Sequence, residues 1–226
     1  MVAVGCPVSA QDGVIDIHGL LIASALEDFQ DEANVDTSGA SLWGAGVALA
    51  TDLLGGGAWA ELVRGKRVLE IGCGSGVVGL SALRAGAKRA ILTDGSAAAL
   101  KHAERIAQTN GNLFKGTVDF AALKWGDAAA LGAAEKPELI LAADVGYDPS
   151  SHDLLASTFR ALVDSSGATD VLVAEEARWK DVLAFFKQAM AEEFDLTHEH
   201  DPARVVIVEQ RPFAFLHFTP RRRPQT

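Results

Sequence analysis

The stretch Val68-Leu69-Glu70-Ile71-Gly72-Cys73-Gly74-Ser75-Gly76-Val77-Val78-Gly79 passes from a β-branched apolar run into a helix-forming one through residues with little side-chain bulk. Gly74, Gly76 and Gly79 satisfy the G-x-G-x-x-G spacing, which lets backbone approach a ligand closely at a strand-to-helix turn. Asp94 lies twenty residues beyond Gly74, at the end of the next apolar run, where a carboxylate can hold ribose hydroxyls. Together they imply an adenosine-bearing cofactor. Glu70 narrows the choice, because a carboxylate beside the ligand repels a dinucleotide's pyrophosphate and attracts the ammonium and sulfonium groups of S-adenosylmethionine. Alternation along the strand leaves Glu70 a second place, turned away from the site toward a partner such as Arg or Lys.

Three further segments carry residues suited to a site: Ser41-Leu42-Trp43-Gly44, Leu123-Lys124-Trp125-Gly126 and Ala142-Ala143-Asp144-Val145-Gly146-Tyr147. Trp43 and Trp125 serve equally well as packing residues or as faces for a ligand. Asp144 is either an acceptor near the reaction or a cap for the helix that follows, and Tyr147 is the chain's only tyrosine. His198 and His200 share one face of an extended run, yet no third ligand accompanies them, so both are read as surface residues and no metal is expected. The histidines His18, His102, His152 and His217 form no constellation.

The elements that must position these residues follow a βαβ alternation from Lys66 onward, the mark of a parallel sheet with helices on both faces. Strands are expected over Arg67 to Ile71, Ala90 to Thr93, Thr117 to Phe120, Leu139 to Ala143 and Val171 to Ala174. Helices are expected over Val77 to Ala85, Ser96 to Thr109 with Ser96 as N-cap, Ser151 to Val163 entered through Asp148-Pro149, and Trp179 to Ala191. After Phe194 come extended runs at Phe194 to Glu199, Val205 to Glu209 and Phe213 to Phe218, with no helix between them, so they should pair antiparallel. Before Lys66, Val14 to Leu26 reads as a strand or hairpin and Trp43 to Leu54 as a helix ended by Gly55-Gly56-Gly57. The expected fold is α/β, a Rossmann-like, seven-stranded, mostly parallel twisted sheet with an antiparallel C-terminal edge. It forms one domain over 1–226, with 1–60 an N-terminal appendage to a cofactor-binding core over 61–226.

The Trp43 segment, the Glu70 to Gly76 loop, Asp94, the Trp125 segment and the Asp144 to Tyr147 segment occur in an order that resembles the class I, seven-β-strand methyltransferases of the methyltransferase-like 21 type, a group made up largely of protein-lysine methyltransferases. The resemblance spans roughly 39–190. It implies that Trp43 and the Gly72-Cys73-Gly74 turn contact the methionine portion of S-adenosylmethionine, that Asp94 holds the ribose, that Trp125 packs on the adenine and that Ala143 lines the cofactor. It places Asp144 and Tyr147 beside the transferred methyl group, as the pair that receives the target lysine. Gly146 departs from the family, which has a bulkier residue there, and a looser rim is expected. The chemistry has a physical basis: with a pKa near 10.4, about one free lysine in 2,500 is neutral at pH 7. An apolar slot beside Tyr147 lowers that pKa by desolvation, Asp144 orients the amine, and alignment of the reacting atoms removes further barrier.

Composition agrees with such an enzyme and limits its partners. The 226 residues, 49% of them hydrophobic, are enough for a folded core and exclude a large multidomain enzyme or wholesale disorder. A net charge of −10 makes nucleic acid a poor partner, and Arg221-Arg222-Arg223 reads as a solvated tail. Cys6 and Cys73 are too few for a disulfide framework. With neither a signal peptide nor a membrane span in view, the expectation is a soluble monomer in the cytoplasm, with the nucleus also compatible. Rival readings remain: methylation of a small molecule or another protein side chain, a dehydrogenase, and a cofactor-binding or partner-docking module without chemistry.

Overall fold

A computed structural model describes residues 8–11, 14–23, 41–177, 180–200 and 213–222. Three short antiparallel strands come first, β1 (Val8–Gln11), β2 (Val14–Ile17) and β3 (Leu20–Ala23). The two-residue turn His18-Gly19 joins β2 to β3 with both φ angles positive, 51° and 83°, the twist that suits a tight hairpin. Leu20 and Ile22 of β3 face the core, while the Asn110 side chain brackets Leu21, accepting from its N–H at 2.9 Å and donating to its carbonyl at 2.8 Å. The hairpin is thereby fastened to the end of α4 (Ala97–Thr109).

Helix α1 (Gly44–Leu54) is buried from Ala45 to Leu53, and its run of small residues lets it lie between neighbours on more than one side. It packs on α3 (Val77–Arg84). The short α2 (Ala60–Val63) then leads into the main sheet.

That sheet holds seven strands in the order β6-β5-β4-β7-β8-β10-β9. Its members are β4 (Arg67–Ile71), β5 (Arg89–Asp94), β6 (Thr117–Ala122), β7 (Leu139–Ala143), β8 (Asp170–Glu176), β9 (Phe194–His200) and β10 (Phe213–Pro220). The first five pair in parallel, and β10 runs antiparallel to both β8 and β9. β10 inserts between β8 and β9, an order that a reading of neighbouring runs does not supply. The run Val205 to Glu209 lies outside the described residues, as does Cys6. α5 (Ala129–Glu135) and α6 (His152–Ser166) flank β7, and α7 (Lys180–Ala191) precedes β9. α6 outruns its expected end by three residues and stops at Gly167, whose φ of 78° suits the residue after a helix.

Alternation splits the core into two layers. Val68, Leu139, Leu141, Leu172 and Phe215 face α1 and α3, while Leu69, Ile71, Ile140, Val171 and Leu216 face α6 and α7. The chain reverses its direction across the sheet between β4 and β7, and a crevice opens beyond the carboxyl ends of strands at such a point. Among the described residues no helix is long and apolar enough to cross a membrane.

Candidate functional site

The crevice is a cleft of about 650 Å³. Ten of the eleven residues expected at a site line it: Trp43, Glu70, Gly72, Cys73, Gly74, Asp94, Trp125, Ala143, Asp144 and Tyr147. The eleventh, Gly76, does not. It stands at the N-cap of α3 with φ 75°, and a Cβ there would lie 2.5 Å from Leu92 Cδ2 and 3.2 Å from Ala103 Cβ. Gly76 therefore lets the helix seat on β5 and α4, a packing task that the ligand-free geometry shows in place of a position on the cleft wall.

One wall of the cleft is the turn from β4 into α3. Gly72 and Gly74 adopt φ of 62° and 50°. Cys73 N–H donates to Thr93 O at 2.9 Å, and Gly74 N–H donates to Asp94 Oδ2 at 3.0 Å. The other Asp94 oxygen accepts Ser96 N–H at 2.9 Å, so one strand-end carboxylate clasps both loops. Ser96 caps α4 as expected, accepting Ala99 N–H at 3.3 Å.

Alternation puts Glu70 on the α3 side of β4, at the inner end of the cleft and 2% exposed. Its carboxylate accepts Gly79 N–H at 2.8 Å rather than meeting the Arg or Lys of the alternative placement. Burial, opposed by that hydrogen bond and reinforced by the Asp94 carboxylate, pushes its pKa up to about 8. The Cys73 thiol is likewise held well above its ordinary range by burial and by the carboxylates of Glu70 and Asp94.

The opposite wall is the turn after β7. Asp144 sits in the left-handed region at φ 52°, with its N–H donating to Ala174 O at 2.9 Å. Its two carboxylate oxygens accept Glu176 N–H at 3.1 Å and Ala45 N–H at 3.4 Å. Asp144 thus serves the first turn of α1 rather than the helix that follows it. Asp148 takes that task, accepting Ser150 N–H at 2.9 Å, and the Ser150 hydrogen bonds hold its carboxyl below the usual carboxylate range. Trp43, 40% exposed, stands at the N-cap of α1, and Tyr147, 51% exposed, stands at the rim. Trp125 is half-buried against the α6 layer.

The expected looseness at Gly146 is also corrected. A Cβ there would lie 3.1 Å from Glu175 Oε1 and 3.1 Å from the Phe186 ring, so a carboxyl group and an aromatic ring already fill the space. Sequence reading missed Glu175, along with Lys124 and Leu154 on the cleft wall. The available signal for Glu175 was a pair of acidic residues directly after the apolar run Val171 to Ala174.

His217 has partners that the sequence did not suggest. Its Nε2 is 2.8 Å from Asp170 Oδ1 and its Nδ1 is 3.1 Å from Thr197 Oγ1, while His198 stacks on its ring at 5.7 Å. Asp170 also meets Lys66 at 3.2 Å, which ties the start of β8 to the approach of β4. Among the described residues no group of three or more His, Cys, Asp or Glu side chains could hold a metal ion.

Comparison with known proteins places this geometry among relatives. A family model described as lysine methyltransferase matches residues 24–192. A protein N-terminal and lysine N-methyltransferase of Candida glabrata is 30% identical over 185 residues, covering 76% of this chain and 67% of the relative. A rice (Oryza sativa subsp. japonica) protein named "Probable protein arginine N-methyltransferase 3" is 45% identical over 54 residues, which is 24% of this chain. The chain spans 9% of that relative's length. Among solved structures, magnesium protoporphyrin IX methyltransferase of Synechocystis PCC 6803 with bound S-adenosylmethionine gives a TM-score of 0.55 at 16% identity, over 76% of this chain and 80% of that one. That likeness is one of fold.

Proposed function

This chain belongs to the lysine methyltransferase family, and from that premise we propose that it transfers a methyl group from S-adenosylmethionine to a lysine side chain of a protein substrate. The observation that carries the reading is a single cleft at the switch point of the sheet with two unlike walls. One is a glycine turn clasped by Asp94, and the other holds Asp144 and Tyr147.

The residues fit the cofactor. Each Asp94 oxygen accepts one backbone N–H and keeps a lone pair for a ribose hydroxyl. The Gly72-Cys73-Gly74 turn and Trp43 would flank the methionine portion, Trp125 would offer an aromatic face to the adenine, and Ala143 would line the space between them. Burial keeps the Glu70 carboxyl protonated near neutral pH in the ligand-free protein, and a bound cation would favour its ionised form, whose attraction for the cation is strong in so buried a setting. When bound, the cofactor supplies a methyl carbon made electrophilic by a cationic sulfur.

The acceptor end does the rest. Tyr147 and Trp43 surround the incoming side chain with apolar area, which favours the neutral amine. Asp144, fixed at the cleft wall by the N–H groups of Glu176 and Ala45, is the carboxylate placed to take a hydrogen bond from the amine and so turn the nitrogen lone pair toward the methyl carbon. Holding both reactants in line supplies several kcal/mol of the barrier reduction. The α-amino group of a protein N-terminus is a second acceptor for the same slot, favoured by what the Candida glabrata relative is named for.

The test is incubation of a cell lysate with the protein and methyl-labelled S-adenosylmethionine, followed by mass spectrometry. Label on lysine ε-nitrogens is the expected result, and label on terminal α-nitrogens would favour the second acceptor. Label confined to small molecules or other side chains, or none at all while the protein binds the cofactor, would overturn the proposal.

A further inference from the structure

The turn that carries Asp144 and Tyr147 does not hold its own shape. Asp144 occupies a left-handed conformation at φ 52°, which costs a residue with a Cβ on the order of 1 kcal/mol. No regular ladder continues past Ala143, where β7 last pairs with β8. The restraint comes from the end of β8. Ala174 O accepts Asp144 N–H, and Glu176 N–H donates to Asp144 Oδ1. Between them, Glu175 turns its side chain under the turn, and its Oε1 accepts two successive backbone N–H groups, from Val145 at 3.0 Å and from Gly146 at 2.8 Å. Glu175 is 5% exposed, so these hydrogen bonds form where water does not compete.

The surroundings are built for that carboxyl group. Gly146 has no Cβ where one would press on Glu175 Oε1 and Phe186. From the other side, His152 Nε2 lies 2.8 Å from Gly146 O, and its ring meets Phe186 edge-on at 5.5 Å. Gly146 is therefore held through both its N–H and its carbonyl, one residue before Tyr147 and two after Asp144.

We propose that Glu175 is a positioning residue, whose side-chain oxygen fixes the Val145-Gly146 backbone and through it the places of Asp144 and Tyr147 at the acceptor end of the cleft. The proposal rests on the methyl-transfer reading of that cleft. Glu175 lies behind the turn and is not among the residues that line the cleft. Displacing the turn by about 1 Å would cost transfer on the order of a hundredfold, because in-line displacement depends on alignment. Cofactor binding, supplied by the glycine turn and Asp94 on the other wall, would change little.

Reach and charge are separated by two conservative variants of the full chain. Glu175→Gln keeps an acceptor oxygen at the same reach and removes the charge, while Glu175→Asp keeps the charge and withdraws the oxygen by one methylene. Positioning predicts that Glu175→Gln retains kcat within about threefold, whereas Glu175→Asp loses tenfold or more with the cofactor Kd within about threefold. Hydrogen exchange at the Val145 and Gly146 amides should quicken about tenfold in Glu175→Asp and stay near wild type in Glu175→Gln. Transfer by Glu175→Asp equal to or above that of Glu175→Gln would overturn the proposal, as would unchanged amide exchange in Glu175→Asp. Should the wild-type protein transfer no methyl group to any acceptor, the methyl-transfer reading fails, while the exchange rates still decide whether Glu175 holds the turn.

Discussion

Glu70 and Asp94 stand on adjacent strands and are treated oppositely by their surroundings. Asp94 meets two backbone N–H groups at the partly open lip of the cleft, whereas Glu70 meets one in a dry interior. Desolvation is the larger effect on Glu70 and lifts its pKa from the ordinary 4.5 to about 8. Between those values the unfolded chain has released the proton that the native protein keeps. Stability of the ligand-free protein therefore falls as pH rises through that window and levels off on either side of it. Glu70→Gln keeps an oxygen for Gly79 N–H and removes the titration. Its urea midpoint should match wild type near pH 4.5 and exceed it increasingly toward pH 8. Binding of a cationic cofactor runs the other way, gaining affinity as pH approaches 8 and releasing a proton below it, which calorimetry in buffers of different ionisation enthalpy can count. Parallel pH profiles for the two proteins would remove Glu70 from this role.

At the scale of elements, the G-x-G-x-x-G spacing joins two tasks that the structure separates. Gly74, with Gly72 just ahead of the motif, forms the cleft wall, while Gly76 and Gly79 let α3 approach β4 and β5. Gly76→Ala should then destabilise the fold by about 2–5 kcal/mol, from a Cβ in the left-handed region and a clash with Leu92. The folded fraction should still bind cofactor with a Kd within about threefold of wild type. A large loss of affinity at unchanged stability would return Gly76 to the site. The central strands β4, β5 and β7 and the Ser96 cap were legible because apolar runs and capping residues are local signals. Asp144 was legible as a site residue but not in its partners, since Ala45 and Glu176 lie 99 and 32 residues away and no spacing rule links them. The same holds for Glu175 under the Val145-Gly146 turn, for His217 against Asp170, and for β10 entering between β8 and β9. Each depends on a pairing across the sheet that exists only once the strands are ordered.

For the whole molecule, thirty acidic against twenty basic residues give a net charge of −10, and their effects divide by depth. Surface carboxylates act through water, where charges separated by more than about 8 Å are largely screened at physiological salt. Glu70 acts through protein, where salt has little access. A lysine-bearing substrate rich in basic residues would be drawn toward the acidic surface before its target side chain enters the slot beside Tyr147. Encounter and recognition then depend on ionic strength, while cofactor binding and the transfer step do not. Raising salt from about 0.05 to 0.5 M should increase KM for a basic protein substrate several-fold, with kcat and the cofactor Kd held within about twofold. A short neutral peptide carrying the same lysine should show little change in KM. The comparison discriminates because the two substrates share the cleft and differ only in what they present to the surrounding surface. An equal response from both substrates, or a KM indifferent to salt, would mean that the acidic surface contributes solubility alone and that recognition lies within the cleft.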